Sequence, residues 1–487
     1  MKLNVIRKLN LIPNNVYIFY STLIFFILLL ILNPSNYFVT FSFVILFFCY
    51  YIKLKNFRVS LFFVYVASLI VLTGKIYYIQ LVRPGIFSPE IYPQGYFTKI
   101  VITSTHVIAL IMLLYSIRQF LTKSVTFKLC VPDILLIVFY ILKILSAIVG
   151  SKDPQLSLTF ELIFLGNIIC YFYARIFLKF TPALWKSLTY LLSALVTFEV
   201  LLGFSQLSIK SPLFRTIEYQ VDIERFGQAV DETRFTYRPG GTFEGANSLG
   251  IWLAALSVFL LIPVLKSKSN VLWISFVGGC ALLTTTLSRS AWLGLCIGFL
   301  FLAVYLTKRS KPLLKTLATF ILKWRFVIFP ILLFLVIFFV LPRIGNSLYS
   351  FQLESGGGAF RRFQNQDAIQ LILLHPLIGI GAYMGVYEGI ALNLYTMKLL
   401  LPLEIHNWFL LTAVSNGLLA VIAFVFFTLT YIRRLFPMTL SSEVTASVAC
   451  TILCVFTAGL FQPFINIEFI LLLTSLSYGV TIMKEKL

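Results

Sequence analysis

Apolar residues in this chain do not recur at the helical or strand periods of half-buried elements. They come in near-continuous runs of roughly 17 to 22 residues separated by polar connections. A helix rising 1.5 Å per residue needs about 20 such residues to cross about 30 Å of hydrocarbon, so each run predicts one membrane span. The runs fall near 16–32, 37–52, 59–74, 100–116, 131–150, 157–174, 187–207, 247–265, 271–287, 291–306, 326–341, 406–427, 445–460 and 464–482. The fold class that follows is all-α, a polytopic bundle of about fourteen transmembrane helices forming one membrane domain over 1–487. Three connections are long, 75–99, 208–246 and 342–405. In the last, Gly356-Gly357-Gly358 predicts a flexible lead-in, 361–374 a short amphipathic helix, and 375–381 a tight turn. A segment of that length predicts a lid or binding element.

Composition agrees, with 59% hydrophobic residues and a mean hydropathy of +0.94, against roughly 45–50% apolar residues in soluble domains. The first run has a basic start and no small-residue cleavage pattern, which predicts a retained span. With the N-terminus cytoplasmic, most of the 39 Lys and Arg fall in cytoplasmic connections, and the shortest outer turns carry only Lys152 and Arg289. The net charge of +21 is then topological and faces anionic lipid, which argues against nucleic acid as a partner. The seven cysteines lie in spans or at inner helix ends, so no disulfide framework is expected.

The same topology gathers four polar segments on the outer side. Arg238 precedes Pro239-Gly240-Gly241, where glycines let backbone amides approach a ligand, and Asn247 and Ser248 are candidate caps of the next helix. A helix start beside an arginine is an anion site. Arg289 sits between two strongly apolar helices, where it either faces a cavity or snorkels to the headgroups. Arg361 and Arg362 head the amphipathic helix, free to meet lipid or ligand. His406 opens the twelfth span, followed by Asn407, and a neutral imidazole there can take a proton from a hydroxyl or simply cap or pack. His375 and His106 read as structural. Lys143 and Glu161 come to similar depth across an antiparallel pair, which predicts an ion pair, and Glu199 and Glu468 lie in outer halves of spans. On the inner side only Asp133, Glu443 and Glu485 are acidic, too scattered for a metal cluster, so neither a metal nor another cofactor is expected.

Four motifs in this order resemble those of the O-antigen ligase and polymerase superfamily. They are Arg238-x-x-Gly241-x-Phe243-x-x-x-Asn247, Ser288-Arg289-Ser290 with Leu293, His375-Pro376-x-x-Gly379-x-Gly381, and His406-Asn407 with Gly417. The likeness spans roughly 190–430 and departs at Ala420, where the family often has Gly, Thr or Tyr. It implies an inverting, metal-independent membrane glycosyltransferase of the C-type fold class in the bacterial cytoplasmic membrane, with its site facing outward. The donor it implies is a polyprenyl-pyrophosphate-linked glycan, and the acceptor a glycan or lipid A-core. His406 would be the base, and Arg238, Arg289, Arg361 and Arg362 would hold the pyrophosphate, supported by Asn247, Asn407, Lys143 and Glu161. A flippase of lipid-linked glycans is the rival reading. Its cationic cavity would bind the same group, but the chain shows no internal repeat and a flippase gives His406 no use.

Overall fold

The computed structural model describes residues 13–32, 36–69, 75–80, 99–122, 127–178, 181–210, 213, 238–243, 245–267, 269–309, 315, 319, 357–382, 405–439 and 443–461. The expected spans at 326–341 and 464–482, and most of 342–405, lie outside them. Helices dominate: α1 (Asn14–Leu32), α2 (Asn36–Leu54), α3 (Phe57–Ser68), α4 (Ser104–Leu121), α5 (Val131–Leu145), α6 (Pro154–Phe177) and α7 (Pro182–Ile209). They continue with α8 (Ala246–Lys266), α9 (Asn270–Thr285), α10 (Arg289–Arg309), α11 (Gly357–Leu374), α12 (Trp408–Thr439) and α13 (Glu443–Gly459).

Local chemistry sets several of these ends. Asn56 caps α3 by accepting from the Val59 amide, and Thr181 caps α7 just before Pro182, whose missing N–H costs nothing at that position. The third span ends at Ser68, short of the expected 74, and residues 75–80 pair antiparallel with 99–103 as strands β1 and β2. Aromatic and β-branched residues cluster in both stretches (Lys75–Gln80 and Lys99–Thr103), a strand signal that the hydropathy pattern overrode.

Among the described residues eight helices are long and apolar enough to cross a membrane, and four shorter apolar helices accompany them. Their outward faces are themselves apolar. Tyr20, Ile24, Leu28 and Ile31 form one exposed stripe on α1, and Leu110, Leu114, Ile117 and Leu121 form another on α4. Stripes of that length mark lipid contact. The chain is a polytopic helical membrane protein.

α8 is the hub: it is buried almost throughout and packs against α9, α10 and α13. α5 and α6 are tied at both ends. At one end Arg175 grips Asp133 with two bonds of 2.7 Å, from Nε to Oδ1 and from Nη2 to Oδ2. Near the other, Lys143 Nζ lies 2.8 Å from Glu161 Oε2, a close ion pair off the line of a straight hydrogen bond. The other Glu161 oxygen accepts from Asn416 Nδ2 of α12 at 2.9 Å, so one buried carboxylate joins three helices.

α12 is not the straight span the sequence suggests. Gly417 has φ 82° and ψ 165°, a conformation open essentially to glycine alone, and a Cβ there would overlap the Leu377 carbonyl oxygen. The two halves of α12 fold back on each other at this point. Trp408 and Phe424 rings lie 4.9 Å apart, whereas sixteen residues of unbroken helix would hold them about 24 Å apart. Phe409 and Phe424 also meet the same Phe456 ring, each at 5.8 Å. The segment after α11 is built into the bend. Ile380 and Gly381 amides donate to the Val414 and Ser415 carbonyls, and the Leu418 amide donates to the Pro376 carbonyl. Ser146 Oγ, on a π-helical turn at Ser146–Gly150, donates to the Ser415 carbonyl as well.

Candidate functional site

The fold-back decides where His406 sits. Its half-helix, 408–416, runs from the Phe424 and Phe456 rings to the bend, so His406 lies at the end of that half-helix remote from the bend. This corrects the expectation that it opens a straight span. α11 runs alongside in the same direction. Gln364 contacts His406, and twelve residues later Pro376 contacts Leu418 at the bend. Ala368, Leu371 and Ile372 of α11 pack with Ala413, Val414 and Phe160. Gly357 and Gly358 belong to α11 itself rather than to a flexible lead-in. The opposite face of α11, with Ile369 and Leu373, is exposed and apolar.

His406 Nδ1 lies 3.1 Å from Gln364 Oε1, and the Gln364 side chain is buried. Asn407, not His406, caps the half-helix, its Oδ1 accepting from the Phe409 and Leu410 amides at 2.9 and 3.1 Å. The imidazole is thereby released from capping. Arg361 and Arg362 occupy the turn of α11 immediately before Gln364, toward the His406 end of the pair of helices. His375 is exposed at the far end of α11.

Arg238 and the turn that leads into Arg289 form a second cluster. Arg238 Nε donates to the Thr286 carbonyl and Nη2 to Asn247 Oδ1, both at 2.7 Å. Asn247 therefore serves the arginine rather than capping α8, whose N-cap is Gly245. Thr286 ends α9, Leu287 turns the chain in a left-handed conformation with φ 52°, and α10 starts at once with Arg289. A bulky residue in that region is held only by its surroundings. The hairpin thus carries the carbonyl that fixes one arginine and, three residues on, the other arginine.

The loop bearing Arg238 is clamped from α7 by two side chains that lie two turns apart on one face. Gln206 Oε1 accepts from the Gly241 amide at 2.8 Å, and its Nε2 donates to the Gly241 carbonyl at 3.0 Å. Glu199 accepts from the Thr242 amide and hydroxyl. Gly241 has φ 58° and its missing side chain leaves room for the Glu199 carboxylate. Glu199 thus holds the loop through Thr242.

α13 relates the two clusters in depth. Gly294 of α10 lies against Cys454, where a Cβ would come within 2.6 Å of the Cys454 carbonyl oxygen. α10 and α13 are the most extensively packed helix pair, and with that contact fixed only an antiparallel run overlaps the whole of α13. Arg289, five residues before Gly294, then stands about 7 Å from the Cys454 level, and Phe456, which meets Phe409, about 3 Å from it on the same side. His406 and Arg289 are therefore separated by on the order of 10 Å along the α10 axis. Nothing in the sequence singled out Thr286 or Asn416. Glu199 with Gln206, polar residues seven apart in an apolar run, and Gln364 with Asp367, three apart on the amphipathic helix, were the readable signals.

Comparison with known proteins finds no matching curated protein. A family model described as O-antigen ligase matches residues 272–425, a segment that includes Arg289, Arg361, Arg362, His406 and Asn407 and begins after Arg238 and Asn247. The protein is a multi-pass membrane protein whose residues 272–425 are similar to the O-antigen ligase family.

Proposed function

We propose that the protein is an inverting glycosyltransferase that moves a glycan from a polyprenyl-pyrophosphate carrier to an acceptor sugar hydroxyl at the outer face of the cytoplasmic membrane. The observation that carries this reading is the fold-back at Gly417, which supports a His406 held beside α11 within the segment similar to the O-antigen ligase family.

The chemistry divides between the clusters. Pyrophosphate leaves with growing negative charge, which the planar guanidiniums of Arg238 and Arg289 meet with directed N–H bonds, joined by Arg361 or Arg362 from α11. Asn247 and the Thr286 carbonyl hold the Arg238 plane in advance of binding. On the opposite face of the sugar, His406 takes the proton of the acceptor hydroxyl as its oxygen bonds to the anomeric carbon. The bond from that carbon to the pyrophosphate oxygen breaks with its electron pair leaving on phosphate, and configuration inverts. A growing glycan or a lipid A-core supplies the hydroxyl, and both jobs fall to protein side chains.

The test is chain transfer by purified His406→Ala protein from carrier-linked glycan, with donor binding measured on the same sample. Loss of a general base lowers the rate about a hundredfold to ten-thousandfold, and donor affinity stays within a few-fold of wild type. Residual transfer within a few-fold of wild type refutes the base. Carrier export without any transfer by the wild-type protein points to a flippase instead.

A further inference from the structure

Gln364, to which glycan transfer assigns no task, contacts the base directly. The amide is buried, and the helix that presents it is packed through Ala368, Leu371 and Ile372 onto the half-helix that follows His406. Asn407 is committed to the cap immediately beside it, which fixes the backbone that carries the ring. Gln364 Oε1 faces Nδ1 at 3.1 Å. An amide oxygen only accepts, so this contact requires the proton on Nδ1.

We propose that Gln364 is the positioning residue of the base. It holds the His406 imidazole as the Nδ1–H tautomer, in which Nε2 carries no proton and is the atom that receives the one from the acceptor. The inference rests on the reading of His406 as base. It follows the general rule that the partner of one ring nitrogen sets the chemistry of the other. It also gives α11 a second function. The turn containing positions 361 and 362 directly precedes Gln364 on the same helix, so one element carries both the two arginines and the partner of the base.

The test compares Gln364→Met, which keeps the length and removes the acceptor, with Gln364→Glu, which keeps an acceptor oxygen. In full-length protein labelled at histidine, the His406 nitrogen signals are identified by their loss in His406→Ala, a simple subtraction in a chain with three histidines. Wild type and Gln364→Glu show the Nδ1–H tautomer, and Gln364→Met loses it. In transfer assays Gln364→Met lowers kcat about ten- to hundredfold, as loss of an orienting partner does elsewhere, with KM for donor unchanged, and Gln364→Glu stays within a few-fold of wild type. A wild-type ring protonated on Nε2 overturns the proposal. So does an unchanged tautomer and kcat in Gln364→Met, or an equal loss in both variants with the tautomer preserved, which marks a packing role. If His406→Ala still transfers glycan, the base reading fails, while the tautomer spectra decide separately whether Gln364 sets the ring.

Discussion

Replacing Gly417 by alanine tests the bend that assembles the site. At φ 82° and ψ 165° a residue with a Cβ costs about 1–3 kcal/mol in backbone conformation alone. The added carbon also overlaps the Leu377 carbonyl and comes within 2.7 Å of the Ile378 carbonyl carbon. Those atoms are backbone, held by the bonds from Leu418 to Pro376 and from Ile380 to Val414, and forcing them apart adds about 1–3 kcal/mol. The total, roughly 2–6 kcal/mol, is a large part of a typical folding free energy of 5–15 kcal/mol. The assay is unfolding by SDS in mixed micelles followed by tryptophan fluorescence, to which Trp408 at the fold-back contributes. Gly166→Ala in α6 is the control. A Cβ there meets only Ala109 at 3.4 Å, and alanine inside a helix gains up to about 1 kcal/mol. If Gly417→Ala loses less than about 1 kcal/mol relative to wild type, α12 tolerates a straight path and the placement of His406 beside Gln364 is wrong.

Three further outcomes are expected. Lys143→Met leaves the Glu161 carboxylate buried without its cation and costs about 3–5 kcal/mol, most of which Lys143→Met combined with Glu161→Gln regains, because a neutral pair needs no compensating charge and the introduced amide oxygen still accepts from Asn416. The same micellar unfolding assay checks this, and equal losses in the single and double variants would contradict it. Arg238→Lys keeps the charge but not the planar fork that meets Thr286 and Asn247 together, so transfer falls at least about tenfold while expression is unchanged; Arg289→Lys behaves alike, and near-normal rates in both would mean that charge alone suffices. Burial pushes the Asp367 carboxyl up, so the folded protein keeps that proton where the unfolded chain has released it. Its contribution to stability is full below the unfolded value of about 4 and is lost as pH rises through the raised folded value. Melting temperature therefore falls more steeply as pH rises above about 4 in wild type than in Asp367→Asn, and parallel slopes would refute the shift.

Spans were legible in the sequence because lipid demands continuous apolar runs, and 131–150 or 247–265 coincide closely with the helices found. The break in α12 was not. Gly417 sits in a run that reads as ordinary span, and its conformation depends on a backbone segment nearly forty residues earlier, a long-range constraint that hydropathy does not encode. The polar motifs pointed to Arg238, Arg289 and His406 because charge in apolar surroundings is conspicuous. What the motifs could not give was the assignment of tasks. Asn247 and Asn407 look alike as residues at helix starts, yet one serves an arginine and the other a backbone, a difference set only by which donors the fold brings within reach.

The bonds from Ile380 and Gly381 to the carbonyls of Val414 and Ser415 have a consequence for how opening would be observed. These two amides belong to no helix, and by local structure alone they would exchange with deuterium almost at once. Bonded into the bend, they exchange only when 379–381 lifts off the half-helix, so their protection measures the free energy of that event directly. A substrate that must pass between α11 and α12 would leave its mark there, as faster exchange of two named amides while those of α8 stay silent.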